Sequence, residues 1–270
     1  MIVSAKASYR RVARTALRQG TVAAGERSVP EEVPVAFSYG GSTHAVMMAS
    51  PADLVDFAIG FSLTEGIISA RSEILSVEVI EAGQGFDVQV DLRDAEADAL
   101  RARRRHMAGP VGCGLCGIES IEQAVRLVPD LSGAKLSVEG QEIVAAMKAL
   151  NDAQDLNGET RAVHGAGFYN PEKGLLAARE DVGRHNALDK LAGAVVNAGI
   201  SARAGIVAVT SRLSVEMVQK TAILGSPVLA AISAPTALAI ETAERAGITL
   251  VALVRGEDFE IFTRADRIIL

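Results

Sequence analysis

Tryptophan is absent and aromatic residues make up only 4% of the chain, so a core must be built from Ala, Val, Leu and Ile, which the 49% hydrophobic content supplies. Two cysteines in 270 residues are too few for a disulfide framework. The default compartment is therefore cytoplasmic, where a close cysteine pair is more often chemical than structural. Basic residues do not outnumber acidic ones, and a net charge of -6 excludes general nucleic-acid binding, which needs a basic footprint. No stretch of about 18 uncharged apolar residues occurs, so no membrane span is expected. The first twenty residues carry Arg10, Arg11, Arg14 and Arg18 but no apolar h-region, which excludes a secretory signal. An Arg-rich transit segment would share that composition, but residues 1–28 read as a disordered basic tail. No glycine-rich phosphate loop of the Walker or Rossmann type is present, nor any internal repeat.

What is present begins with the cysteines themselves, three residues apart in Gly112-Cys113-Gly114-Leu115-Cys116-Gly117. The glycines remove side-chain bulk and let the backbone bend where other residues cannot. Arg103, Arg104, Arg105 and His106 lie upstream and a helix is expected from Ile118 to Val128. Positive charge and a helix N-terminus both favour a thiolate. Such a pair can carry sulfur, exchange disulfides, hold half of a metal site, or do nothing. Zinc needs two further ligands, and His44, His106, His164 and His185 do not repeat a finger's spacing. The zinc-deaminase pattern of H-x-E followed by P-C-x-x-C is not met.

The chain around this loop falls into two rhythms, giving an α/β protein with a smaller, β-rich α+β N-terminal part. Val33–Ala49 reads as a hairpin across Gly40-Gly41-Ser42. Ser50 suits a helix N-cap, with Pro51 and Asp53 in the first turn and Gly66 as the stop. Residues 74–80 and 86–92 form a second strand pair. The second half alternates strands near 204–209, 228–232 and 250–254 with helices over 214–224 and 235–246, which predicts βαβ units and a parallel sheet. Phe259–Phe262 reads as an edge strand, and 131–157 as a joining segment. The domain limits expected are 29–130, ending in the cysteine loop, and 131–270.

Ligands of such sheets collect beyond the carboxyl ends of the strands. Those ends carry Thr210-Ser211-Arg212, Ser233-Ala234-Pro235-Thr236 and Arg255-Gly256-Glu257. Glu180-Asp181-Val182-Gly183-Arg184-His185-Asn186-Ala187-Leu188-Asp189-Lys190 is rich in polar residues where a helix begins. Helical spacing would let Asp181 meet His185, and Asn186 meet Lys190. Ser214 suits an N-cap, and Arg212 beside it suits an anion.

Taken in order, the Gly112–Gly117 loop, the Glu180–Lys190 string and Ser211-Arg212-Leu213-Ser214-Val215-Glu216-Met217-Val218-Gln219-Lys220 resemble the FdhD family, accessory sulfurtransferases of formate dehydrogenase. Glu32-Val33-Pro34, Met48–Asp53, Glu65-Gly66-Ile67-Ile68 and Ser233–Thr236 extend the match over about residues 30–265. The resemblance implies a cytidine-deaminase-like α/β/α C-terminal domain without that enzyme's zinc. It implies a sulfurtransferase that takes sulfur from a cysteine desulfurase as a persulfide on Cys113, with Cys116 assisting or relaying. The sulfur goes to the bis-molybdopterin guanine dinucleotide molybdenum cofactor, bound as substrate, for use by formate dehydrogenase. A homodimer is implied, with no catalytic metal of its own. Cofactor contacts are expected from Ala252, Leu253, Val254, Arg255, Gly256 and Glu257, and from Arg184, His185, Asn186, Ser211, Arg212 and Ser214. A non-catalytic chaperone for the same cofactor is the alternative. One departure stands out: the family's Thr-Gly-Gly-x-His is here Thr160-Arg161-Ala162-Val163-His164, which keeps the histidine and loses the glycine pair.

Overall fold

The computed structural model describes residues 7–93 and 127–270. Cys113, Cys116, the basic run 101–106 and nearly all of the helix expected over 118–128 lie outside the described residues. Among the described residues no helix is long and apolar enough to cross a membrane.

The stretch expected to be a disordered tail is a hairpin from residue 9 onward. Strands β1 (Tyr9–Arg18) and β2 (Thr21–Pro30) pair from Tyr9↔Pro30 to Arg18↔Thr21. Gln19 and Gly20 take φ of 49° and 79°, the two-residue turn whose twist matches paired strands. Glycine supplied half of that signal; glutamine at the other positive-φ position hid the rest.

The N-terminal sheet contains β3 (Val33–Tyr39), β4 (Ser42–Ala49), β5 (Ile74–Ala82) and β6 (Gly85–Leu92) in the order β4-β3-β6-β5. The two expected hairpins join through a parallel β3–β6 pairing. Val33, Val35, Phe37 and Tyr39 alternate onto one face, as period-two geometry requires. That face packs on helix α1 (Leu54–Thr64) through Phe57 and Phe61, whose rings lie 4.8 and 4.6 Å from Phe37. Gly66 follows α1 with φ 69°, as its stop requires.

The C-terminal part opens with the short strand β7 (Val138–Glu139), helix α2 (Gly140–Asp152) and helix α3 (Asp155–Thr160), where a joining segment was expected. Strands β8 (His164–Asn170) and β9 (Gly174–Asp181) lead to α4 (Arg184–Asn197). The units β10 (Ile206–Val209), α5 (Val215–Leu224), β11 (Val228–Ala231), α6 (Ala237–Arg245) and β12 (Thr249–Arg255) follow, then β13 (Asp258–Ile261) and β14 (Ile268–Ile269). The six-stranded order is β13-β12-β11-β10-β8-β9. Strands β10, β11 and β12 form the expected parallel block, and β8, β9 and β13, joined by antiparallel pairings, make the whole sheet mixed. The sequence over 164–181 was not recognised as strand, because its glycines and charges interrupt the apolar run.

Val207, Val209, Leu229, Ala231, Leu250 and Ala252 face α4, α5 and α6. Ile206, Ala208, Val228, Ala230 and Val251 face α2. Both faces of the central strands are therefore covered, and the protein has an α/β/α layered half, as an α/β fold should. This is why those strands read as unbroken apolar runs.

Candidate functional site

Because β9 runs parallel to β10, β11 and β12, the carboxyl ends of all four strands lie along one edge of the sheet. The N-termini of α4 and α5 meet at that edge. The α4 N-cap is Gly183, with no side-chain cap, and its first turn holds Arg184 and His185. The α5 N-cap is Ser214; its side chain makes no cap hydrogen bond, so the expected capping role is not what it does. The β10–α5 and β11–α6 loops are tied by Leu213 N–H to Ala234 O (3.3 Å) and Thr236 N–H to Leu213 O (3.0 Å). Thr236 caps α6 by accepting from Ala239 N–H.

His185 Nε2 lies 3.9 Å from Glu216 Oε2. Burial above all, with Arg184 and Lys220 nearby, pushes the His185 imidazole down to about 4. It is neutral at pH 7, so this contact is not an ion pair. The Glu216 carboxyl moves below its ordinary value. Burial raises it, but Ser214, its own amide and the positive field of Arg184 outweigh that. His164, across the β8–β9 pair from Asp181, is also lowered, by burial first and then by Arg184. Arg184 Nε and His185 Nε2 are buried without hydrogen-bond partners among the described residues. Two helix N-termini and a guanidinium with an unpartnered buried Nε make a site suited to an anion.

Most of the Glu180–Lys190 string points elsewhere. Asp181 ends β9 and is not on α4, so it does not meet His185 as helical spacing suggested. Instead Asp181 pairs with Lys190 at 2.7 Å, both side chains being 0% exposed. It also accepts from Ser50 N–H (2.9 Å), Gly183 N–H (2.7 Å) and Asn186 Nδ2 (2.9 Å). Lys190 donates to Ser50 O (3.0 Å), and Asn186 to Met48 O (2.8 Å), not to each other. Ser50 is thus an anchor between the two halves and not an N-cap; that position belongs to Asp53, at φ 55°. Asn186 is 4% exposed, and its side chain is engaged in the joint. Glu180 accepts from Leu156 and Asn157 N–H and so caps α3 from another element.

A second buried cluster, which the sequence did not reveal as a unit, lies alongside. Lys220 donates to Asp189 (2.8 Å), Glu65 (2.8 Å) and Thr64 (3.0 Å). Burial pushes Asp189 up; Lys220 is held above its ordinary value because Asp189 and Glu65 outweigh its own burial. A Cβ on Gly60 would fall 1.7 Å from Asp189 O, and one on Gly193 1.8 Å from Asp56 O, so glycines let α1 and α4 cross closely. The signal available was a charge at 220 inside the apolar stripe of Met217, Val218 and Leu224.

The segment 252–257 is divided in the same way. Leu253 takes φ 55°, and the β12–β13 register shifts between Ala252 and Arg255. This bulge turns Ala252 into the helix-side core and Val254 into the opposite core. Arg255, Gly256 and Glu257 stay exposed at the turn, as does Arg212 on the same sheet edge, while Ser211 is buried and its Oγ donates to Arg212 O.

Comparison with known proteins agrees with the sequence resemblance. Residues 30–269 match the FdhD/NarQ family model. The chain belongs to the FdhD/NarQ family. It is 87% identical, over the full length of both chains, to the sulfur carrier protein FdhD of Agrobacterium fabrum. It is 57% identical to that of Brucella abortus over 243 residues, 90% of each chain. A crystal structure of a Desulfotalea psychrophila protein assigned as a formate dehydrogenase accessory protein superposes with a TM-score of 0.76 at 27% identity, covering 97% of this chain and 100% of that one. All the site residues above fall within the family match, whereas the β1–β2 hairpin precedes it. The departure from the family's Thr-Gly-Gly-x-His also gains a structural meaning. Arg161 occupies the C-cap of α3 at φ 55°, a left-handed conformation that glycine adopts without strain.

Proposed function

We propose that this chain is a sulfur carrier that takes persulfide sulfur from a cysteine desulfurase on Cys113 and delivers it to the bis-molybdopterin guanine dinucleotide molybdenum cofactor used by formate dehydrogenase. The observation that carries the reading is family membership over residues 30–269, joined to 87% full-length identity with a protein named as a sulfur carrier. In loading, the Cys113 thiolate attacks the outer sulfur of the desulfurase persulfide. One S–S bond forms, one breaks, and the desulfurase thiolate leaves, with no net redox change. In release, the Cys116 thiolate attacks the inner sulfur of the Cys113 persulfide. Sulfide leaves and a Cys113–Cys116 disulfide remains, which a thiol reductant then reopens.

The cofactor substrate carries several phosphates. Arg184 at the α4 N-terminus, with Arg212 and Arg255 on the same sheet edge, supports anion recognition there.

The test is intact-protein mass spectrometry after incubation with a cysteine desulfurase and cysteine. Wild type should gain reducible mass of about 32 Da, one sulfur added to a thiol. Cys113→Ala should gain none, and Cys116→Ala should load but fail to release. No gain in folded wild type with an active desulfurase would overturn the carrier reading and favour a cofactor chaperone, which would tolerate Cys113→Ala.

A further inference from the structure

The β1–β2 hairpin is an arm. Each strand is ten residues long, yet residues 9–27 are mostly exposed. A two-stranded ribbon is at best marginally stable alone in water, and a third strand or a packed helix is what makes it stable. Arg27 Nη2 donates to Thr160 O at 3.0 Å, which ties the arm to the body through β2. Among the described residues no strand pairs with the far edge of β1.

The register sorts the side chains. Residues opposite each other in an antiparallel pair share a face, and faces alternate along each strand. Arg10, Arg14 and Arg18 of β1 lie on one face, and Arg27, opposite Val12, joins them. Val12, Ala16, Ala23 and Gly25 lie between them, so the floor of that face is flat and uncharged. Leu17, Val22 and Glu26 belong to the opposite face. The ribbon's one carboxylate is thus turned away from the arginine row.

Arg10 pairs with Glu31 at 3.2 Å. Among the described residues Arg14, Arg18 and Arg27 have no carboxylate partner. Arg14 Nε donates to Glu26 O at 3.3 Å, as Arg27 does to Thr160 O. Each of these two guanidiniums is therefore held by a backbone carbonyl and keeps its charge and its other donors.

Charge and the open edge say what fits. Arg10, Arg11, Arg14, Arg18 and Arg27 against Glu26 give the arm +4; the whole chain is -6, so the remainder carries -10. A long nucleic acid would meet that repulsion, and the arginine face has no aromatic ring on which bases would stack. A short acidic segment meets the arm alone. Arg18 and Thr21 close the two-residue turn, so alternation leaves the N–H groups of Arg11, Ala13, Thr15 and Leu17 on the outer edge of β1. Arginines along an open edge repel a basic strand and select an acidic one.

We propose that the outer edge of β1 accepts an extended acidic segment of a partner protein as a third strand, its carboxylates lying beside Arg10, Arg14 and Arg18. Successive arginines are four residues, about 14 Å, apart, so a strand with acidic residues at alternate positions, about 7 Å apart, meets each of them. Main-chain hydrogen bonds hold such a strand and the charges choose it. The inference goes beyond the sulfur-carrier reading, and sulfur loading can succeed or fail whatever the arm binds.

Fluorescence anisotropy tests it, using the full chain and a labelled peptide of about twelve residues that alternates Thr and Glu, long enough to run along β1. At about 0.1 M salt wild type should bind at about 10–100 μM and release the peptide as salt rises. Arg14→Glu with Arg18→Glu should weaken binding about tenfold or more, like charges then facing each other. Thr15→Pro, which removes an outer-edge N–H where an edge strand tolerates proline, should weaken it by about as much. Leu17→Ser, on the opposite face, should change it by less than about twofold. Circular dichroism checks that each variant is folded. Absence of binding by wild type at about 100 μM would overturn the proposal. So would equal binding of a peptide with the same glutamates in one block, or binding indifferent to the arginine reversals or to Thr15→Pro. An equal loss in Leu17→Ser would overturn the assignment of the face, and tighter binding of an oligothymidylate of similar length would give the arm to nucleic acid instead.

Discussion

Two polar regions sit within one helix of each other and behave in opposite ways. In the joint between α1 and α4, the polar side chains are buried and partnered: Asp181 with Lys190, Asn186 and Ser50, and Lys220 with Asp189, Glu65 and Thr64. At the sheet edge, Arg184 and His185 retain buried atoms with no hydrogen-bond partner among the described residues. Satisfied charges hold parts together, because each one removed strands the other. Unsatisfied ones at helix N-termini wait for something else to pair them. Near neighbours in one string, Asp181 and Arg184 or His185 and Asn186, thus fall on opposite sides of this division. A polar motif is not one site merely because it is contiguous.

The comparison can be broken most forcefully at the joint. Lys190→Ala leaves Asp181 buried without its counter-charge, and unfolding in urea should show a loss of about 3–5 kcal/mol. Arg212→Ala at the exposed edge should shift stability by less than about 0.5 kcal/mol. Similar losses in the two variants would erase the distinction between joint and edge.

Acid separates the two regions next. The His185 imidazole titrates near 4 in the fold against 6.5 unperturbed, chiefly because it is buried. The unfolded chain therefore takes up the proton first as pH falls. The stabilising effect of the neutral ring is complete above about pH 6.5 and is lost towards pH 4, by up to about 1.4 kcal/mol per pH unit. His185→Gln should flatten this slope in urea midpoints measured from pH 7 to 4.5. His164, lowered in the same direction, leaves a residual slope. Equal slopes in wild type and variant would mean that His185 is not held neutral.

The smallest effect concerns Arg161, exposed at the α3 C-cap with φ 55°. Arg161→Gly should raise stability by up to about 1 kcal/mol, relief of left-handed strain exceeding the extra freedom glycine gives the unfolded chain. Differential thermal melts would detect it, and a lower melting temperature would contradict it.

Much of this was legible beforehand. The hairpin over 33–49, the pair at 74–92, and the βαβ rhythm from 206 to 255 follow from apolar alternation, glycine turns and unbroken runs in doubly covered strands. The gathering of the strand ends along one edge of the sheet followed from the same rhythm. The arm was missed because Arg-rich composition outweighed a turn with only one glycine. Strands β8 and β9 were missed because their glycines and charges interrupt the apolar run. Assigning Asp181 to a helical face failed because Asp181 is the last residue of β9 and the helix starts only at Arg184.

The sequence by itself determined the family, the α/β class and the identity of the chemically capable residues, since these depend on residue type and local periodicity. Only the tertiary structure decided which charges are partnered. Burial and the approach of a second element set whether Lys190 is paired within the fold or Arg184 keeps an unpartnered atom at the sheet edge, and neither is a property of neighbours in sequence.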